Sequence, residues 1–396
     1  MREGGRGPIR VLILHSRYLS GPASGENRVA ADEARLLAEA GHRVRVWTPE
    51  PQDLHGLGLV RTGLSTIWSS SAAAAVGRVV ERERIDIVHV HNLFPTLSPA
   101  VLRKARSAGA AVVMTLHNYR LMCLPANFLR DGRLCELCLG KVPWRGVVYR
   151  CYRGSLPGSA ALGTSLTAHR ALRSFDRVTR FLAVSRFVRD KYIEGGVSAD
   201  RIVVKPNFAW PAGRRQGPGD YFLYLGRLDP EKGVETVVRA APGLSARVMI
   251  VGGGSQAETL RRDAPPNMEF TGPVDPSRVP SILGRARALL VPSLWYEAAP
   301  RGITEAFASG VPVIASRLGA LPEAVEEGVS GTLVEPGRPR DLARAMRDLQ
   351  DDRRSERLGE GAYRIWESHF SPQSGLRDLE EAYREALASA GRAPGD

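Results

Sequence analysis

The sequence predicts an α/β protein of two Rossmann-like domains facing a central cleft. Three observations carry this: short apolar runs alternate with helical stretches, the alternation repeats after a Gly/Pro-rich break, and 396 residues exceed what one core organises. Strands alternating with helices form parallel sheets, and about 100–200 residues make one domain.

Taken in order, Arg10 to His15 reads as a buried strand, Arg28 to Ala40 as a helix closed by Gly41, and Arg43 to Thr48 as the next strand. Further apolar runs at Ile85 to Val90, Ala111 to Leu116 and Arg180 to Val184 each lead into polar residues and a helical stretch. The first domain then spans 1–212, with an excursion at about 120–160. The stretch Trp210 to Asp220 is rich in Gly and Pro and lacks apolar periodicity, which places a linker at 213–220. Strands at Tyr221 to Leu225, Arg247 to Val251, Asn267 to Phe270, Ala288 to Val291, Val313 to Ala315 and Thr332 to Val334 make the second domain, 221–371. A helix over Pro372 to Ala390 and a short tail to 396 close the chain.

A net charge of +13 sits entirely in the first half: residues 1–210 hold 31 Lys or Arg against 16 Asp or Glu, and residues 211–396 hold 24 against 26. The window Lys141 to Lys191 has eleven basic and two acidic residues, a pattern that attracts an anionic membrane, a phosphorylated acceptor or nucleic acid. No apolar run approaches the ~20 residues that span a bilayer, and Met1 to Pro8 leads straight into a strand, so a cytoplasmic protein is expected. All four cysteines, Cys123, Cys135, Cys138 and Cys151, fall within 29 residues. Two readings stand side by side: buried free thiols, or a structural zinc held by four thiolates.

The stretch Ser293 to Glu305 holds two acids, Glu297 and Glu305, around a helix start at Pro300, with Gly310 as the stop. A helix start turns free N–H groups and a dipole toward an anion such as a diphosphate, while Glu305, one turn in, can reach a sugar hydroxyl. Upstream, Gly226-Arg227 to Lys232-Gly233 ends a strand and starts a helix, and places two cations at the strand's carboxyl end. A fixed Arg and Lys can stabilise a departing diphosphate. The run Gly252-Gly253-Gly254 follows another strand, and His117 ends the strand that begins at Ala111, where parallel sheets bind ligands. His89 reads as core, and His91 with Asn92 as a border of the acceptor region.

Together these segments resemble the retaining glycosyltransferases of family 4, through nearly the whole chain, with Ser293 to Glu305 as the most specific part. The resemblance implies a GT-B fold, with the C-terminal helix packing back on the first domain, and polysaccharide or cell-envelope chemistry. It implies that Arg227 and Lys232 hold the donor's diphosphate, that Glu305 binds ribose hydroxyls and Glu297 sugar hydroxyls, and that His117 faces the donor sugar. Gly253, Gly272 within Phe270 to Gly272, and Arg301 and Gly302 at the helix start complete the nucleotide side. Gly25, in Ser24-Gly25-Glu26-Asn27, matches the family's Gly-rich loop, although Ser24 stands where a Gly is common. Arg301 likewise replaces a common apolar residue, which leaves donor preference open.

The implied reaction moves a sugar from a nucleotide-diphosphate sugar to a glycan or polyprenyl-phosphate-linked acceptor. It retains anomeric configuration and uses no catalytic metal or other cofactor. No carboxylate stands out as a nucleophile, so a front-face reaction is expected. The competing readings are an epimerase or phosphorylase on the same fold, a zinc-containing nucleic-acid-binding protein, and a nicotinamide enzyme. The last lacks a Gly-x-Gly-x-x-Gly run after either first strand, and nucleic acid is not expected as a partner.

Overall fold

Runs of Val, Ile and Leu with both faces apolar can be satisfied only inside a parallel sheet covered by helices. In the computed structural model, which describes residues 7–17, 25–49 and 57–391, they form two such sheets. The first has strands β1 (Arg10–His15), β2 (Arg43–Trp47), β3 (Ile87–Asn92) and β4 (Ala111–Leu116). After a small hairpin of β5 (Leu129–Arg130) and β6 (Arg133–Leu134), it is completed by β7 (Arg180–Ala183) and β8 (Ile202–Val204). Its order is β2-β1-β3-β4-β7-β8, with neighbouring strands parallel.

The second sheet comprises β9 (Tyr221–Leu225), β10 (Arg247–Val251), β11 (Met268–Gly272), β12 (Ala286–Val291), β13 (Val313–Ser316) and β14 (Gly331–Val334). Its order, β11-β10-β9-β12-β13-β14, is also parallel throughout. Alternate residues serve opposite faces, as strand geometry requires. Phe222 and Tyr224 pack with Val237 and Met346 on one side, and Leu223 packs with Ile303 and Phe307 on the other.

The chain divides into two compact units, one of Met1–Phe128, Cys135–Lys205 and Leu376–Asp396, the other of Leu129–Leu134 and Pro206–Gly375. The last helix, Pro372–Ser389, explains the return to the first unit. Leu379, Tyr383 and Leu387 recur at helical spacing and are buried with Val11, Ile13, Ile87 and Val113 of the first sheet. The segment 213–220, expected as a linker, is fastened to the second unit. Buried Arg215 donates hydrogen bonds to the carbonyls of Pro218 and Arg287 and to Ser355 Oγ.

Each sheet has one place where the connections reverse direction, so that neighbouring strands are followed by chain leaving to opposite sides. In the first sheet it lies between β1 and β3, and in the second between β9 and β12. Ligands of open parallel sheets bind outside the carboxyl ends at such points. No described helix is long and apolar enough to cross a membrane.

Candidate active site

At the second sheet's reversal point, the turns after β9 and β12 are locked together by close backbone approach. Gly233 has φ +70°, and a Cβ there would stand 2.1 Å from the Pro292 carbonyl oxygen. The Leu294 amide donates to the Glu231 carbonyl at 2.8 Å. These contacts bring Lys232 Nζ to 2.8 Å from Glu297 Oε1. The same carboxylate oxygen accepts from Ser293 Oγ at 2.7 Å and from Trp295 Nε1 at 2.9 Å. Lys232 also sits over the Trp295 ring, 4.8 Å from its centroid.

Glu297 is buried, which opposes its ionisation, yet Lys232 and the Ser293 and Trp295 hydrogen bonds hold its pKa below the ordinary value. The site therefore keeps a buried carboxylate charged beside a cation. The donors Ser293 and Trp295 were not singled out in the sequence; their signal is the Ser-x-Trp-x-Glu spacing of a loop that folds its side chains onto one oxygen.

The other expected nucleotide contacts lie in adjoining turns, each engaged locally. Arg227 is mostly exposed and pairs with Asp229 and, at 2.9 Å, with Glu231. Glu305 lies one turn into the helix Arg301–Ala308, where Arg301 Nη2 reaches its Oε1 at 3.0 Å; Pro300 caps this helix instead of opening it. Gly302 is the second residue of the same helix. Gly253 belongs to a loop whose glycines serve backbone packing: at Gly252, φ +140°, a Cβ would meet the Gly226 oxygen at 1.8 Å. Gly272 ends β11.

In the first unit, His117 follows β4 and places Nε2 2.9 Å from His91 Nδ1 at the end of β3. Burial, and after it His15, Lys205 and His89, push the His117 pKa well down, so the ring is neutral. Asn118 donates to Glu26 Oε1 at 2.5 Å, and Gly25 opens the helix Gly25–Glu39. Ser24 lies outside the described residues. A small cavity is lined by His91, Asn92, His117, Asn118 and Arg120. His89 is core, bonded to Tyr383 and Thr115.

Cys123, Cys135 and Cys138, three of the four expected zinc ligands, lie near enough to act on one another, Cys138 on Cys123 and Cys135 on Cys138. Among the described residues, the group of three metal-binding side chains whose ligand atoms lie within 4.8 Å of one another is Glu33, His89 and His91. Cys123 is buried and the other three are half-buried, none of them in a disulfide. Burial pushes the Cys123 thiol up to about 11 while backbone amides of Phe128, Asn127 and Ala126 face it, and Cys138 faces the Gly146 amide.

Family models match both halves of the chain: one described as "Glycosyltransferase Family 4" over residues 23–209, and one as "Glycosyl transferases group 1" over residues 219–352. A D-inositol 3-phosphate glycosyltransferase of Acidothermus cellulolyticus is 31% identical over 96% of this chain and 90% of its own. A GDP-mannose-dependent α-(1-6)-phosphatidylinositol monomannoside mannosyltransferase of Mycolicibacterium smegmatis is 31% identical over 51% of this chain and 60% of its own. The chain matches 40% to 60% of the length of this and two further relatives, both D-inositol 3-phosphate glycosyltransferases. In fold, it is similar to Anabaena HepE crystallised with UDP, with TM-score 0.63 and 17% identity over 94% of this chain and 99% of that one. With both halves matched and a 31% identical relative aligned along nearly its full length, the chain belongs to glycosyltransferase family 4, with the two Rossmann-like sheets of the GT-B fold.

Proposed function

We propose that the protein is a retaining glycosyltransferase that moves a sugar from a nucleotide-diphosphate sugar to a hydroxyl of a glycan or lipid-linked acceptor. The observation that supports this most is the Lys232–Glu297 contact at the reversal point of the second sheet. Lys232, joined by Arg227, would meet the diphosphate, and the charged Glu297 would accept hydrogen bonds from the donor sugar. Glu305 would take the ribose hydroxyls, and Gly253, Gly272, Arg301 and Gly302 would line the nucleotide. The pairs Arg227–Glu231 and Arg301–Glu305 would then exchange for ligand contacts on binding. His117 would contact the donor sugar, and Gly25 would approach the phosphate.

The reaction is read as front-face. The departing phosphate takes the proton of the acceptor hydroxyl on the same face, and the protein supplies position and charge stabilisation. Proton NMR of the anomeric signal of the new glycosidic bond tests it: the donor's configuration is expected, and an inverted product overturns retention.

The acceptor is proposed to be lipid-linked, met at an anionic membrane surface. The helix Trp144–Val148 exposes Trp144 and Val148, with Tyr149 exposed just beyond, inside the window of eleven basic residues. Aromatic and aliphatic side chains among arginines suit a headgroup layer, with about 1 kcal/mol for each nearby Lys or Arg. The relative acting on a phosphatidylinositol monomannoside agrees with such an acceptor.

A further inference from the structure

We propose that Glu33 and His91 fix the protonation of the His117 ring, so that His117 offers a bare Nδ1 to its ligand and takes a hydroxyl there, not an anion. This rests on the reading of His117 as a donor-sugar contact and narrows what it binds.

The network lies under the carboxyl edge of the first sheet. Glu33, from the helix Gly25–Glu39, and Lys205, just after β8, are almost wholly buried and form an ion pair through Glu33 Oε1. The other oxygen, Oε2, faces His91 Nε2 at 3.5 Å and His89 Nδ1 at 3.7 Å. Among the described residues, neither Glu33 Oε2 nor His91 Nε2 has a hydrogen-bond partner, although both are buried. At 3.5 Å the contact is too long for a full hydrogen bond, but its polarity decides the proton. A carboxylate oxygen is an acceptor only, and a second lone pair facing it in a low dielectric is repelled. His91 therefore carries its proton on Nε2.

The consequence passes along the chain. A neutral imidazole has one donor and one acceptor, so His91 Nδ1 is left to accept. His117 Nε2 stands 2.9 Å from it and must donate. His117 Nδ1 then keeps its lone pair, and no hydrogen bond to it is formed among the described residues. Both rings are neutral: burial comes first, and His15, His89 and Lys205 add to it.

Glu33, His89 and His91 are also close enough to share a metal ion. That reading is disfavoured, since Lys205 already neutralises Glu33 and the Tyr383 hydroxyl lies 2.8 Å from His89 Nδ1. Glu33 and His91 are thus positioning residues, and His117 is the group that touches the ligand. A bare ring nitrogen repels phosphate oxygens, which leaves the diphosphate to Arg227 and Lys232.

Long-range proton–nitrogen NMR of the ligand-free wild type, with His117→Asn for assignment, reads the tautomer directly. The expected result is a neutral His117 protonated on Nε2 at about neutral pH. A His117 protonated on Nδ1, or an imidazolium, overturns the proposal. In His91→Phe, both His117 tautomers should appear, and turnover of the nucleotide sugar should fall about tenfold while binding of the nucleoside diphosphate alone stays unchanged. An unaltered tautomer in that variant also overturns it. Should His91→Phe fail to fold, the wild-type spectrum alone decides. Because that spectrum needs no donor, it separates failure of this inference from failure of the glycosyltransferase reading, which would show as no turnover of any nucleotide sugar.

Discussion

Lys232 Nζ lies 2.8 Å from Glu297 Oε1, and the two residues come from turns that follow adjacent strands of one sheet. Lys232→Ala should leave Glu297 buried without its cation and lower turnover ten- to a hundredfold, since a lost charged hydrogen bond is worth ~1.5–3 kcal/mol. The same change should lower stability at neutral pH, by about 3 kcal/mol if the loop does not relax. The sign follows from Glu297, whose folded pKa is depressed. Its contribution is present above the ordinary carboxyl range and is lost as pH falls through the folded value. Urea titrations of wild type and Glu297→Gln across that acidic range measure it: the stability gap between them should narrow as pH falls.

Arg227 is exposed and, among the described residues, pairs with acids of its own turn, so Arg227→Ala should spare stability and affect donor use. Exposed pairs contribute about 0–1 kcal/mol, while contact with a diphosphate contributes more. Thermal melting should stay within a few degrees of wild type as kcat/KM falls at least tenfold. Glu305→Ala should also lower donor use, with the loss concentrated in KM for the donor. Unchanged donor kinetics in both variants would remove these residues from the nucleotide site.

Sedimentation with liposomes should show binding to anionic vesicles that weakens as salt rises, because surface charges are screened within a Debye length of ~8 Å at physiological ionic strength. Val148→Asp, at a side chain 74% exposed, should reduce that binding severalfold without changing turnover of a soluble acceptor. Equal binding to neutral vesicles, or none at low salt, would point to a soluble acceptor.

Native-state alkylation at about pH 8 should modify Cys123 last, since the thiolate is the reacting form. Its thiol is buried and pushed up to about 11, whereas Cys135 and Cys151 are half-buried. Mass spectrometry of the labelled peptides reads the order, and early modification of Cys123 would contradict the described burial.

The main strands were legible because parallel strands buried on both faces, such as Val11 to Leu14, leave unbroken apolar runs. The hairpin at Leu129 to Leu134 and the three-residue β8 left none, being too short to show a period. Lys232 and Glu297 in one unit and His117 in the other were readable as candidates from their places after strands. The Glu33–Lys205 pair was not, because its members stand 172 residues apart and only the fold joins them. The cysteines, close along the chain, are also near enough in the fold for Cys138 to act on Cys123 and Cys135 on Cys138.

The central claim, that the protein consumes a nucleotide-diphosphate sugar at Lys232 and Glu297, is met most directly by one assay. Purified protein is offered a panel of UDP- and GDP-sugars with membrane-extracted acceptor, and release of nucleoside diphosphate is followed in wild type and Lys232→Ala. Release from at least one donor is expected from the wild type, falling ten- to a hundredfold in the variant, as loss of a ~1.5–3 kcal/mol charged contact requires. Wild-type release that persists undiminished in Lys232→Ala, or nucleotide-sugar turnover by neither protein, would contradict it.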